Sequence, residues 1–207
     1  MEIDAVIFDL GGVFIHIDYE ATIRDFKKLG FLNAENLYSQ KEQAFLFQQY
    51  EIGKISTPYF INKLLDKSES KLSPNQIVHA WNAMLGEFEK GSIHVLRGLI
   101  GKKRLFMLSN TNELHWEIVQ RKWNQIDTVP LSFYFEKIHL SHELGMRKPD
   151  VSTFEKVCKI HNLSPSNTLF IDDSIQHILG AKEAGLRTFF LDDIMKLPEI
   201  HSVLNIL

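Results

Sequence analysis

The chain has very little cysteine. Cys158 is the only one in 207 residues, which excludes an intrachain disulfide framework and a cysteine-rich zinc site. No apolar run approaches the ~20 residues of a membrane span, so no membrane partner is expected. Charge of one sign is also missing: 23 basic against 26 acidic residues give a net charge of −3. No bulk field therefore recruits nucleic acid, although a small local anion site is still allowed. The opening Met1-Glu2-Ile3-Asp4 is acidic with only a short apolar run, unlike a secretory signal. A reducing cytoplasmic home is the expectation. Internal repeats and low-complexity tracts are absent as well. What is present is ordinary globular usage, 44% hydrophobic and 24% charged, with enough length for one sizeable core and a small insertion.

Three blocks follow one another. Residues 1–15 hold an apolar run, Ala5-Val6-Ile7-Phe8, then Asp9 and the turn Leu10-Gly11-Gly12-Val13. Residues 16–90 are helical by period and contain no good strand. Helices are expected at Tyr19–Leu29, Lys41–Tyr50, Pro58–Asp66 and Asn75–Phe88. From 91 to 207 strands alternate with helices. Strands are expected at 104–108, 137–140, 168–171 and 187–191, with helices at 112–123, 151–162 and 174–184. Alternation of this kind implies βαβ units. The expected fold is α/β: a Rossmann-like parallel sheet with helices on both faces, formed by 1–15 and 91–207. A helical cap, 16–90, is inserted into it, with hinges near 15–18 and 88–92.

Four strand ends carry polar residues suited to chemistry. Asp9 terminates a run that reads as a strand buried on both faces, at the sheet edge where open α/β folds bind ligands. Ser109-Asn110-Thr111-Asn112 offers a hydroxyl and free backbone N–H groups, which fits either an anion cradle or an ordinary helix cap. Lys148, fixed by Pro149 before a helix capped by Asp150, can be aimed at a phosphate and a carboxylate, whereas Arg147 reads as solvated. Asp172-Asp173 ends an apolar strand ahead of an amphipathic helix with Ile175, Ile178 and Leu179 on one side. Adjacent acids repel unless a cation neutralises them, and Mg²⁺ is the natural hard cation for oxygen ligands. A helix cap with a dipole-stabilising acid is the alternative. Parallel strands deliver all four ends to one edge, and together they form a set suited to phosphoryl transfer to an aspartate.

On these residues the chain resembles the haloacid dehalogenase (HAD) superfamily of hydrolases. The matching segments are Phe8–Val13, Leu108–Thr111, Lys148-Pro149 and Ile171–Ser174. With Leu144–Pro149 and the cap segment Glu51–Ser56, they are similar to a bacterial branch of capped sugar-phosphate phosphatases that includes glucose-1-phosphate phosphatases. The resemblance implies a Mg²⁺-dependent phosphatase acting on a small phosphate ester. Asp9 would be the nucleophile and a metal ligand, together with the backbone carbonyl of Gly11. Asp173 would be the principal carboxylate ligand, and Asp172 a second ligand or one acting through water. Ser109 and the N–H of Asn110 would hold the phosphoryl oxygens, with Lys148 neutralising charge on Asp9 and the phosphate.

One position departs from the superfamily pattern. A general acid–base aspartate usually stands two residues after the nucleophile, and here that residue is Gly11. The similar branch has a glycine there too. Substrates with good leaving groups, or a substitute such as His16, Asp18 or Glu51, would meet the need. Within the cap most aromatics, among them Phe26, Phe45, Phe47, Tyr50, Tyr59, Phe60, Trp81 and Phe88, recur at helical spacing and read as core. The polar turn Glu51–Ser56 around Gly53 is expected to dip toward the site, with Glu51 or Lys54 on the leaving group. A metal-independent dehalogenase, a phosphomutase and a non-catalytic binding module on the same scaffold are the rival readings.

Overall fold

The computed structural model describes residues 2–31, 34, 41–68 and 71–204, and only the backbone of 41–44. The chain opens with β1 (Ala5–Phe8) and β2 (Ile15–Ile17). Four helices follow: α1 (Tyr19–Lys28), α2 (Lys41–Glu51), α3 (Thr57–Leu65) and α4 (Pro74–Asn82). Then come β3 (Leu85–Phe88), α5 (Ser92–Leu99), β4 (Arg104–Ser109), α6 (Glu113–Ile126), β5 (Lys137–Leu140), α7 (Ser141–Leu144) and α8 (Val151–Ile160). β6 (Thr168–Asp172), α9 (Ile175–Glu183), β7 (Arg187–Phe190) and α10 (Ile200–Val203) complete it.

The main sheet has the order β5-β4-β1-β6-β7, and every pairing in it is parallel. The alternation of β1 explains its central place. Val6 and Phe8 pack with Leu105, Met107, Leu169 and Ile171 on one face. Ala5 and Ile7 pack with Phe106, Leu108 and Phe170 on the other. A strand with apolar residues on both faces is stable only when covered on both. Phe8 lies opposite Met107 of β4 and Ile171 of β6. The chain therefore departs to opposite sides of β1, and the crevice at the carboxyl ends of β1, β4 and β6 is the switch point where such sheets bind ligands.

Helices α1 to α4 have a core of their own. Phe60, fully buried, stacks on Tyr50 with ring centroids 4.2 Å apart and meets Trp81 at 4.8 Å. Helix starts are chemically marked. Ser56 accepts from the Tyr59 N–H with Pro58 in the first turn of α3, and Ser73 and Gln76 form a capping box on α4. Among the described residues no helix is long and apolar enough to cross a membrane.

Several expectations fail locally. Residues 16–90 do contain strand: α4 ends at Asn82, and Leu85–Phe88 pairs antiparallel with Ile15–Ile17. The apolar spacing Leu85/Phe88 suits a helix, but these residues are one leg of the ribbon by which the chain leaves and re-enters the α/β unit, and pairing decides. Phe88 consequently packs on Trp123 of α6 at 5.1 Å instead of inside the helical block, and Phe45 and Tyr59 are exposed. Helix α5 buries Val95, Leu96 and Leu99 where no element was expected. Asp150 stands at the start of α8 without a side-chain cap bond. On α9, Ile178 is buried whereas Ile175 and Leu179 are exposed. The buried face is made of small residues instead: a Cβ on Gly180 would overlap the Pro149 carbonyl, and Ala181 is fully buried beside it.

Phe60→Ala should destabilise the protein by about 3–5 kcal/mol, the range for a buried aromatic truncated to alanine. Urea unfolding followed by tryptophan fluorescence measures it. A loss below ~1 kcal/mol would show that the ring cluster does not hold α2, α3 and α4 together.

Candidate active site

The centre of the site is a buried ammonium. Lys148 is fully buried, with Nζ 2.8 Å from Asp9 Oδ1 and 2.6 Å from Asp172 Oδ2. Asp9 extends β1 by one more bond, its N–H donating to the Ile171 carbonyl at 2.9 Å. Its Oδ1 also accepts from the Leu10 N–H at 2.6 Å. Asp172 Oδ1 accepts from the Ser174 N–H at 2.8 Å, and His177 Nδ1 lies 3.0 Å from both oxygens of Asp172. The Lys148 backbone is clasped by Asn110. The Asn110 Nδ2 donates to the Lys148 carbonyl at 2.8 Å, and the Lys148 N–H donates to Asn110 Oδ1 at 2.9 Å. The peptide between Lys148 and Pro149 is cis.

Above this cluster lies a cavity of about 510 Å³. The strand ends contribute Asp9, Gly11, Gly12, Ser109, Asn110 and Asp173, and the ribbon and helical block contribute Ile17, Tyr19, Glu51 and Trp81. Gly12 has φ +68°, and a Cβ there would overlap Asp173 Oδ2. A glycine is thus required for Asp173 to lie across the turn after β1. A Cβ on Gly11 would come within 3.1 Å of Ile17 Cγ1. The space that a side chain at position 11 would enter is occupied by an apolar residue of β2.

Burial pushes the Asp9 carboxyl up to about 8, against the pull of Lys148, and neighbouring Asp172 adds to the rise. Burial also acts on Asp172, but Lys148 and His177 outweigh it and hold that carboxyl down at about 2. The two acids share one lysine and diverge because Asp172 has the shorter contact and two further donors. Asp173 is raised by burial and by Asp172. Lys148 is raised overall, since Asp172 and Asp9 together overcome its desolvation. Three carboxylates thus face one ammonium. A cluster of hard oxygen donors short of positive charge fits a divalent cation of the magnesium class. Asp9, Asp172 and His177 place ligand atoms within 4.8 Å of one another. Asp172, however, already serves Lys148, Ser174 and His177, whereas Asp173 faces the cavity.

The structure brings together Asp9, Gly11, Ser109, Asn110, Lys148, Asp172 and Asp173, and it adds Glu51 from the end of α2. Lys54 does not join them: it is exposed and outside the cavity lining, because the turn docks through its glycine. Gly53 has φ +68°, and a Cβ there would overlap the His142 carbonyl. His16 pairs with Glu89 at 3.2 Å, and Asp18 caps α1 and pairs with Arg24 at 2.8 Å. Neither lines the cavity.

Arg147, read from sequence as solvated, lines the cavity and pairs with Glu51 at 3.1 Å. Tyr19, His115 and His177 also line it and carry no expectation from sequence, and Trp81, read as cap core, is buried in that core and reaches the cavity as well. Their signals were faint: Tyr19 follows a cap residue, and His177 falls in the first turn after the acid pair. Trp81 Nε1 donates to Asn112 Oδ1 at 3.3 Å, and His115 Nε2 lies 3.1 Å from the Trp81 carbonyl. Burial lowers His115 to about 4 despite that backbone bond, so its ring is neutral at physiological pH.

Residues 3–185 match the family of haloacid dehalogenase-like hydrolases. A D-ribitol-5-phosphate phosphatase of Bacteroides thetaiotaomicron is 32% identical over 184 residues, covering 89% of each chain. A crystal structure of a HAD family enzyme from the same organism, in complex with magnesium and inorganic phosphate, superposes with a TM-score of 0.85. It is 35% identical, covering 91% of this chain and 93% of that one. A HAD-like hydrolase structure from Porphyromonas gingivalis reaches a TM-score of 0.89 at 29% identity, covering 99% and 98%.

Lys148→Met should cost about 3–5 kcal/mol near neutral pH, because it leaves buried carboxylates without their counter-ion. In the wild type, the depressed Asp172 contributes stability that is present above its unfolded value and lost as pH falls toward about 2. The variant lacks that contribution, and its acids are neutralised as pH falls. The difference between the two proteins should therefore shrink on acidification. Urea midpoints near neutrality and near pH ~4 test this; an equal cost at both would mean that packing of the lysine stem, and not its charge, is what matters.

Proposed function

Because the chain belongs to the haloacid dehalogenase-like hydrolases, we propose that it is a Mg²⁺-dependent phosphatase. Its substrate is a small phosphomonoester of a sugar or polyol, hydrolysed through an aspartyl-phosphate on Asp9. The observation that carries this reading is the strand-edge cluster, in which Asp9 shares Lys148 with Asp172 while Asp173 and Ser109 face the same cavity. The relatives support it: one is named for D-ribitol 5-phosphate, and a HAD family neighbour holds magnesium and inorganic phosphate.

The roles proposed are these. Asp9, Asp173 and the Gly11 carbonyl would hold the magnesium, which would supply positive charge to keep Asp9 ionised and offset the phosphoryl oxygens. Asp9 attacks phosphorus through one carboxylate oxygen, the bond to the leaving oxygen breaks, and that oxygen takes up a proton. Ser109 and the Asn110 N–H hold the transferring oxygens, each such contact being worth about 3 kcal/mol in the transition state. Lys148 neutralises the charge building between carboxylate and phosphate. Water then cleaves the aspartyl-phosphate, releasing inorganic phosphate and restoring the Asp9 carboxylate. Asp172, engaged by Lys148, Ser174 and His177, would hold the lysine in place beside the cation. Residues 16–90 act as the cap, excluding water and completing the pocket, with Glu51 meeting the leaving group.

Gly11 offers no proton to the leaving oxygen, and Ile17 packs tightly against it. General acid–base help of that kind is worth about 10²–10⁴-fold, so leaving groups that depart without a proton should gain most.

Phosphate release over a panel of sugar and polyol phosphates and an aryl phosphate tests the reading. Turnover is expected to require Mg²⁺, to disappear with EDTA and in Asp9→Asn, and to be faster for the aryl ester. Activity that survives EDTA would point instead to metal-independent displacement. On the same panel, Glu51→Ala should change the order of preference among sugar and polyol phosphates, whereas Lys54→Ala should not. An unchanged order in Glu51→Ala would remove Glu51 from the leaving-group pocket.

A further inference from the structure

The phosphoryl end of the cavity is accounted for by the strand-edge cluster. The other charged side chains lining it, among the described residues, are Arg147 and Glu51. They come from different parts of the molecule: Glu51 ends α2, and Arg147 precedes the buried lysine. Both are largely buried, with side-chain exposures of 31% for Arg147 and 25% for Glu51, and they meet at 3.1 Å. Arg147 is sparsely engaged for a group with five N–H donors. Among the described residues Glu51 is its side-chain partner, and its Nε is buried without an acceptor. Trp81 and Met84 also line the cavity.

We propose that the Arg147–Glu51 pair makes the enzyme selective for phosphate esters whose leaving group is uncharged and hydroxyl-bearing, and that Arg147 is a specificity-determining residue. This inference rests on the phosphatase reading above and deepens it. A hydroxyl can donate to Glu51 and accept from Arg147, so a polyol enters without breaking the pair. A leaving group with a second negative charge meets Glu51 while the nearby cation is already neutralised, and like charges brought together in a site shielded from water repel strongly.

A matched pair of substrates tests the inference: a polyol phosphate, and the aldonate phosphate in which a carboxylate replaces the terminal hydroxymethyl group. Wild-type kcat/KM should favour the polyol ester by about tenfold or more. Glu51→Gln keeps the shape and releases Arg147 from its counter-ion, so the ratio should move toward the aldonate ester by about tenfold. Arg147→Gln should move it the other way, with the loss seen mainly in KM. Equal use of the two esters by the wild type, or a ratio that neither substitution moves, overturns the inference. Aryl phosphate is the internal reference: if the wild type fails to turn it over with Mg²⁺, the phosphatase reading itself falls; if it is turned over and the ratios do not move, only the inference on the pair falls.

Discussion

Lys148 is an ammonium with no exposure to solvent, placed between two carboxylates that belong to different strands. Taking such a charge out of water costs several kcal/mol unless its partners are well placed, so the positions of β1 and β6 are tied to it as much as it is to them. Asp9 and Asp172 can stand one strand apart because β1 and β6 are hydrogen-bonded neighbours in register, Phe8 opposite Ile171. The lysine arrives from a third direction, on the loop before α8, and must be held without support from a strand. The reciprocal Asn110 bonds to its backbone do this. Asn110 follows β4, so three adjacent strands hold one lysine, two of them through its ammonium and the third through its backbone.

The two adjacent acids at the end of β6 divide their work by the direction each faces. Asp172 has both oxygens engaged inside the protein and is held ionised. Asp173 lies across Gly12, faces the cavity and is raised by burial. Asp9 is raised because its burial outweighs the pull of the lysine it shares, and neighbouring Asp172 adds to the rise. In the role proposed for Asp9, reluctance to ionise at neutral pH would make a poor nucleophile. The same deficit of positive charge suits the cation proposed at Asp9 and Asp173. Metal affinity and nucleophile activation are therefore two aspects of one electrostatic imbalance.

Three strand ends could be read from sequence because parallel topology brings them together whatever the details of packing. Asp9, Ser109 and Asp173 each close an apolar run, and βαβ connectivity sends such ends to one edge. Lys148, expected at a fourth strand end, instead follows α7 on the loop before α8. Features that depend on pairs distant in sequence were hidden. β2 and β3 are three and four residues long and separated by the helical block, so neither carries a strand signal until they pair. That pairing brings Ile17 against Gly11, so a side chain at this position would have to displace an apolar neighbour. Arg147 was misread because its neighbour is the functional lysine, and nothing local shows that the two side chains diverge. Lys54 was misread for the converse reason: the turn does reach the core, but through Gly53, which directs its neighbours outward.

Arg147 and Lys148 are consecutive residues serving opposite ends of one cavity. Lys148 faces the acids of the sheet, and Arg147 faces the acid of the helical block. A strain at one could reach the other through a single peptide, yet the Asn110 clasp acts on the backbone of Lys148 itself. Thr153 adds a hold on the Arg147 carbonyl at 2.9 Å. The main chain is pinned on both sides, leaving the long guanidinium stem free to adapt. The leaving-group recognition proposed at Arg147 and Glu51 could then vary while the ammonium stays between Asp9 and Asp172. The helical block remains tied to the core through Trp81, Asn112 and His115, whose ring is neutral and fully hydrogen-bonded. A scaffold built this way separates the groups that must not move during phosphoryl transfer from those that choose what is transferred from.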